Sequence, residues 1–280
     1  MIVDAHHHFW DPTRADYPWM TGELASIRRP FGPDDLAPLL AATGVDRTVL
    51  VQTRADVDET REFLATAAST SFIAGVVGWL DLTDPGIVES IAALREAPGG
   101  DRLVAVRHQI HDEPDADWIL RPEVLRGIRA VGEWGLAYDL LVRPRELRPS
   151  LAAVRALPSV RFVIDHLAKP RIRDGELQPW ADLISPFGEL PNVWCKVSGM
   201  ITEADWESWI PDDLVPYVRH VLGAFGTERL VFGSDWPVCL VAGSYQQVFD
   251  AARAALGEVA PADVERVFGQ NAIEAYRLNV

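Results

Sequence analysis

Residues 4 to 11 read DAHHHFWD, directly after the apolar pair Ile2 and Val3. In an extended chain successive side chains alternate, so His6 and His8 share one face and His7 takes the other. Two neutral imidazoles aimed the same way are ligands for zinc or a similar divalent ion, and a carboxylate would extend the set. Asp235, in FGSDWP near the far end of the chain, is the candidate oxygen donor. His7 reads as structural.

Other reactive side chains sit at the ends of comparable apolar runs. Arg107 and His108 follow LVAV, Asp165 and His166 follow RFVI, and Lys196 lies within VWCKVSG. His166 is the candidate for proton transfer, because an ordinary imidazole titrates near neutrality. Asp165 precedes it, and neighbours on a strand point apart. Arg107 suits a carboxylate, a hydroxyl or a developing oxyanion, or else pairs with the acidic surface. His108 faces opposite to Arg107. The loop QIHDEPD offers His111, Asp112 and Glu113 as substrate contacts. A buried lysine is costly without a partner, so Lys196 either holds negative charge in the pocket or pairs with a strand-end aspartate. Trp10, Trp79, Trp194 and Trp236 either wall a pocket or join the core. Cys195 and Cys239 read as packing residues.

These residues need a scaffold that gathers them. Apolar or β-branched runs occur at IVDAHHHF, 47–52, 72–81, 103–110, 135–142, 161–169, 192–199 and 229–237. They show little alternation, as expected of parallel strands covered on both faces. Helical patterns lie between them: Val88, Ile91 and Leu94 form one stripe, and Val124, Leu125, Ile128 and Val131 another. Pro149 and Pro216 should bend the first turns of two further helices. The closing ADVERVFGQNAIEAYRL reads as a helix, a break at Gly269 and a short last helix. This rhythm predicts a (β/α)8 barrel in one domain, residues 1–280, with a doubly wound sheet as the alternative. In such a barrel the C-terminal strand ends converge on one face.

Composition narrows the function. The formal charge, 26 − 41 = −15, repels phosphate backbones and argues against a nucleic-acid partner. No signal-like opening or membrane-length apolar run is present, which points to a cytoplasmic protein. GxGxxG, GxxxxGK[ST] and GxSxG are absent, against dinucleotide, P-loop and common serine-hydrolase sites.

DAHHHFWD, VAVRHQIHDEPD, FVIDHLAKP, WCKVSG and FGSDWPVCL, taken in order, resemble the amidohydrolase superfamily, of the amidohydrolase 2 type. More narrowly they resemble its sugar-lactone hydrolases, the L-fuconolactonase and L-rhamnonolactonase branch. The resemblance spans essentially the whole chain. It implies a distorted (β/α)8 barrel of the metallo-dependent-hydrolase type and attack of water on a lactone carbonyl. It maps the family pattern onto His6 and His8 at strand 1, His166 at strand 6 and Asp235 at strand 8, and puts Arg107, His111, Lys196 and Trp236 at substrate-facing positions. Together with the residue chemistry above, the expected catalytic residues are Asp235, His166 and Arg107, and the expected substrate contacts are His108, His111, Lys196, Trp236 and Trp10. Two-metal members of the superfamily use a carboxylated lysine from strand 4 and a histidine from strand 5. Here LVAVRHQI and GLAYDLLV supply neither. The expectation is one divalent ion, zinc first, on His6, His8 and Asp235, or a metal-free site. A dicarboxylate lactone, decarboxylation on the same scaffold and a noncatalytic binding protein are the rival readings.

Overall fold

The computed structural model describes residues 1–280. Its strands are β1 (Val3–His7), β2 (Arg47–Val51), β3 (Ile73–Gly78), β4 (Leu103–His108), β5 (Ala137–Leu140), β6 (Arg161–Ile164), β7 (Val193–Val197) and β8 (Leu230–Phe232). They lie side by side in chain order, every paired neighbour parallel. The ring closes just beyond β8. There His7 bridges Trp236, the Asp235 amide donates to the His6 carbonyl at 2.8 Å, and the His8 amide donates to the Trp236 carbonyl at 2.7 Å. This is a distorted, nearly closed (β/α)8 barrel, and the doubly wound alternative falls.

Two helical expectations need correction. Ile87, Ile91 and Leu94 are buried in the helix Ile87–Glu96, whereas Val88 is 44% exposed. Six residues separate Val88 from Leu94, which is ~120° off one face at ~3.6 residues per turn. Gly269 does not break the last helix. It belongs to a π-helical turn, Arg266–Gln270, that joins Pro261–Glu265 to Asn271–Tyr276. A Cβ there would lie 2.1 Å from the Met1 carbonyl oxygen, so close backbone approach demands the glycine.

The barrel interior is layered. Val49, Val51, Ala105, Ala137, Val163 and Val231 make a small apolar layer, capped by Ala272, Ala275 and Tyr276 of the closing helix. The period of two then sets the next inward residue on each strand: Arg107 after Ala105, Asp139 after Ala137, Asp165 after Val163, Lys196 after Trp194. An apolar layer is thus followed by a charged one.

β1 reaches that layer through an irregularity. Asp4 pairs with Thr48 but His7 pairs with Leu50, so β1 holds one residue more than β2 between those points. Such a bulge re-aims side chains. It moves the inward phase from Val3 and Ala5 to His6 and His8. Asp4 faces outward, where its carboxylate accepts from the Ser234 amide at 2.8 Å and the Tyr245 hydroxyl at 3.0 Å. No helix is long and apolar enough to cross a membrane.

Candidate active site

His6 and His8 meet across the bulge with their Nε2 atoms 3.1 Å apart. Asp235 Oδ1 lies 3.4 Å from His8 Nε2 and 3.7 Å from His6 Nε2. His7 faces away, 2.9 Å from Thr48 Oγ1, as its alternation requires. His8 Nδ1 contacts the Val51 carbonyl at 2.7 Å, which puts its proton there and leaves the Nε2 lone pair free.

Backbone conformation brings His166 into this group. Residues His166 to Lys169 all have positive φ, between 52° and 57°, which turns the chain sharply at the end of β6. For residues with a Cβ that costs about 1–2 kcal/mol each. The turn is why Asp165 and His166 both enter the site although strand neighbours point apart. His166 Nε2 comes within 3.9 Å of Asp235 Oδ1, and its Nδ1 lies 2.9 Å from Ser198 Oγ. A Cβ on Gly199 would sit 2.5 Å from His166 Nδ1, so the start of the next loop must be glycine. Asp235 also has positive φ, 57°, in the turn after β8.

Below this group lies the charged layer. Lys196 Nζ is 2.7 Å from Asp139 Oδ2 and 2.8 Å from Asp165 Oδ1. Arg107 Nη1 is 3.0 Å from Asp165 Oδ2, and its Nη2 donates to the Gln52 carbonyl and side-chain oxygen. Tyr276 donates to Asp139 at 2.7 Å from beneath. Two cations and two anions balance within a dry interior, where each needs its partners.

Protonation follows from burial and charge. Burial holds His6 well below the ordinary imidazole value, with Lys196 adding to the effect. Burial lowers His166 to about 4, against the pull of Asp235 and Asp165. Burial works against the charge of Asp235, but His166 and His8 outweigh it and keep the carboxyl below its usual range. Near neutral pH the site therefore presents an anionic carboxylate beside the neutral imidazoles of His6 and His166.

Above lies a cavity of about 160 Å³. His8, Arg107, His166 and Asp235 form its floor, while Thr53, Gln109, His111, Asp112, Lys169, Trp19, Leu141 and Val238 form its walls. The remaining expected substrate residues sit elsewhere. Lys196 is fully buried under His6, because its ammonium takes the two aspartates as partners. Trp236 is packed against Phe9 and Phe31. Trp10 is buried and donates from its indole to the Ile27 carbonyl. His108 turns to the opposite side of β4 from Arg107, stacks on Trp118 at 4.3 Å and bonds Trp79 and Glu113. Thr53, Gln109 and Lys169 of the walls were not singled out by sequence, nor were the supports Gln52 and Asp139. Lys169 had a signal, three residues past His166. Asp139 had one too, a carboxylate inside an apolar run.

The amidohydrolase family profile matches residues 3–278. The chain belongs to the amidohydrolase family. It is 42% identical to an L-fucono-1,5-lactonase of Burkholderia ambifaria, over 99% of this chain and 96% of the relative. It is 36% identical to an L-fucono-1,5-lactonase of Burkholderia multivorans, over 99% and 96%. A crystal structure of a Burkholderia multivorans amidohydrolase with bound zinc superposes with a TM-score of 0.93 at 35% identity, over 99% of both chains. Family membership supports catalytic hydrolase activity for the chain.

The donor set fits one divalent ion. His6, His8 and Asp235 each offer one ligand atom within 4.8 Å of the others. Their separations of 3.1, 3.4 and 3.7 Å bracket the ~3.4 Å between ligands of a tetrahedral zinc with bonds of ~2.1 Å. His6, Asp165 and His166 form a second cluster. There Asp165 is already engaged by Lys196 and Arg107.

Proposed function

We propose that this amidohydrolase opens a sugar-derived lactone, an aldonolactone of the L-fucono or L-rhamnono type, to its hydroxy acid. One observation carries the chemistry: an anionic Asp235 stands beside the neutral His166 and the Arg107 guanidinium on the floor of a cavity walled by hydrogen-bonding side chains. The substrate class rests on the two lactonase relatives.

In this reading Asp235 takes a proton from a water as its oxygen attacks the lactone carbonyl. Negative charge develops on the carbonyl oxygen, and His166 and Arg107 stabilise it. This role uses the tautomer in which Ser198, 2.9 Å from His166 Nδ1, donates there and leaves Nε2–H directed to the cavity side. The bond from the carbonyl carbon to the ring oxygen then breaks. Asp235 returns its proton to that oxygen, so lactone plus water becomes hydroxy acid with no other reactant. A divalent ion on His6, His8 and Asp235 would polarise the carbonyl and make water more acidic. His111, Gln109, Thr53 and Lys169 face the ring hydroxyls.

The test is acid release from matched L- and D-sugar lactones of both ring sizes, corrected for spontaneous opening. Turnover of an L-fucono or L-rhamnono lactone well above the remainder is expected. Absence of enzyme-dependent acid release from every sugar lactone, with turnover of a dicarboxylate lactone, would replace this substrate class.

A further inference from the structure

His6 is a buried ring placed between two cations and two acceptors. On the Nδ1 side are Lys196 Nζ at 3.2 Å and Asp165 Oδ1 at 3.4 Å. On the Nε2 side are Arg107 Nη1 at 3.3 Å and His8 Nε2 at 3.1 Å. A neutral imidazole carries one ring proton, and ammonium and guanidinium groups donate without accepting. Hence only one of the two cations can be satisfied at a time.

The two arrangements can be written out. With the proton on Nε2, Lys196 donates to Nδ1, His6 donates to His8 Nε2, and His8 donates from Nδ1 to the Val51 carbonyl. With the proton on Nδ1, His6 donates to Asp165 Oδ1, and its Nε2 is bare toward Arg107. In that second state two imidazole lone pairs face each other across 3.1 Å. The shorter contacts, 3.1 and 3.2 Å, belong to the first state, and it avoids that repulsion. The first state offers a metal ion no lone pair at His6 Nε2, and the second offers two facing nitrogens, His6 Nε2 and His8 Nε2.

We propose that Lys196 is a positioning residue that selects the His6 tautomer, and that loading a divalent cation onto His6, His8 and Asp235 requires His6 to exchange it for the other. The proton leaves Nε2 and arrives at Nδ1 by way of water, so the ring neither gains nor loses one overall. Lys196 gives up His6 and keeps both aspartates, while Asp165 Oδ1, which lacks a well-aligned hydrogen-bond donor, acquires one. The inference is independent of which lactone the cavity accepts.

Nitrogen-15 shifts of the two His6 ring nitrogens, assigned through the residue's own Cβ, read the tautomer directly. In metal-stripped full-length protein the proton is expected on Nε2, and titration with zinc alone should move it to Nδ1. The paired change Lys196→Met with Asp139→Asn removes the ammonium while keeping the buried charge balanced. In that variant the metal-free ring should carry its proton on Nδ1, and zinc should bind about tenfold more tightly, the worth of one opposing hydrogen bond. A proton on Nδ1 in the metal-free wild type overturns the proposal. So does Nε2–H persisting in the folded variant, or zinc that fails to bind or leaves His6 protonated at Nε2. If the variant does not fold, the wild-type pair of spectra decides alone.

Discussion

The floor and the walls of the cavity are built on different principles. Floor groups sit on strand ends or the turns just after them; Arg107 belongs to the floor and also to the charged layer beneath it with Asp139, Asp165 and Lys196, all buried. Each has a fixed partner, and the layer is locked from below by Tyr276. Wall groups sit in loops and most are only partly buried, Thr53 and Leu141 apart: Lys169 pairs with Glu203 at 2.6 Å, and His111 with Asp112 at 3.2 Å. Rigid strand ends hold a side chain's orientation for chemistry, whereas loops can change length and side chain without disturbing the barrel. Catalysis should fail when the floor is altered, and selectivity should shift when the walls are.

The largest effect is expected at the floor. Asp235→Asn and His166→Asn should each lower kcat by about 10²–10⁴, the usual worth of a positioned proton-transfer or charge-stabilising group. Asparagine tolerates the left-handed backbone at both sites, so thermal midpoints should stay near wild type. Near-wild-type turnover in both folded variants would remove these residues from the mechanism. A stability loss comes next. Lys196→Met strands Asp139 and Asp165 without their shared cation, at a cost of about 3–5 kcal/mol in urea unfolding. An unchanged urea midpoint would show that the layer is not held together by that ammonium.

Wall changes should be milder and of another kind. Lys169→Met and His111→Asn should each alter KM about three- to tenfold and reorder preference among lactones, while kcat moves little. A uniform drop in kcat would erase the distinction between floor and walls. The smallest effect concerns His108, outside the cavity. Burial lowers its pKa below 6.5, with the Glu113 contact opposing. Below pH 6.5 the unfolded chain therefore binds the proton more readily than the native one, and stability falls as pH drops. The difference in urea midpoint between pH 7.5 and 5.5 should be smaller in His108→Gln than in wild type.

The same division governs what could be read from sequence. The barrel, the facing of His6 against His8, and the contributions of Arg107, His166 and Asp235 follow from strand rhythm and from strand ends meeting on one face. Lys196 could be read two ways, and geometry chose the paired one, because Asp139 and Asp165 occupy the same inward layer. The joint entry of Asp165 and His166 was illegible, since strand alternation forbids it and only the left-handed turn at 166–169 permits it. Likewise Trp10 and Trp236 match a pocket wall by residue type but meet aromatic neighbours first. Thr53 and Gln109 enter through loop paths that no periodicity encodes.

The central claim is that Asp235 directs water onto a carbonyl carbon, and it can be tested in oxygen-18 water with a sugar lactone that the protein consumes. Mass spectrometry of the product should find one labelled oxygen, in the carboxylate, and none in the hydroxyl released from the ring. Product formed without label would indicate isomerisation, and label in the ring-derived hydroxyl would mean attack at the alkyl carbon; either result contradicts the account.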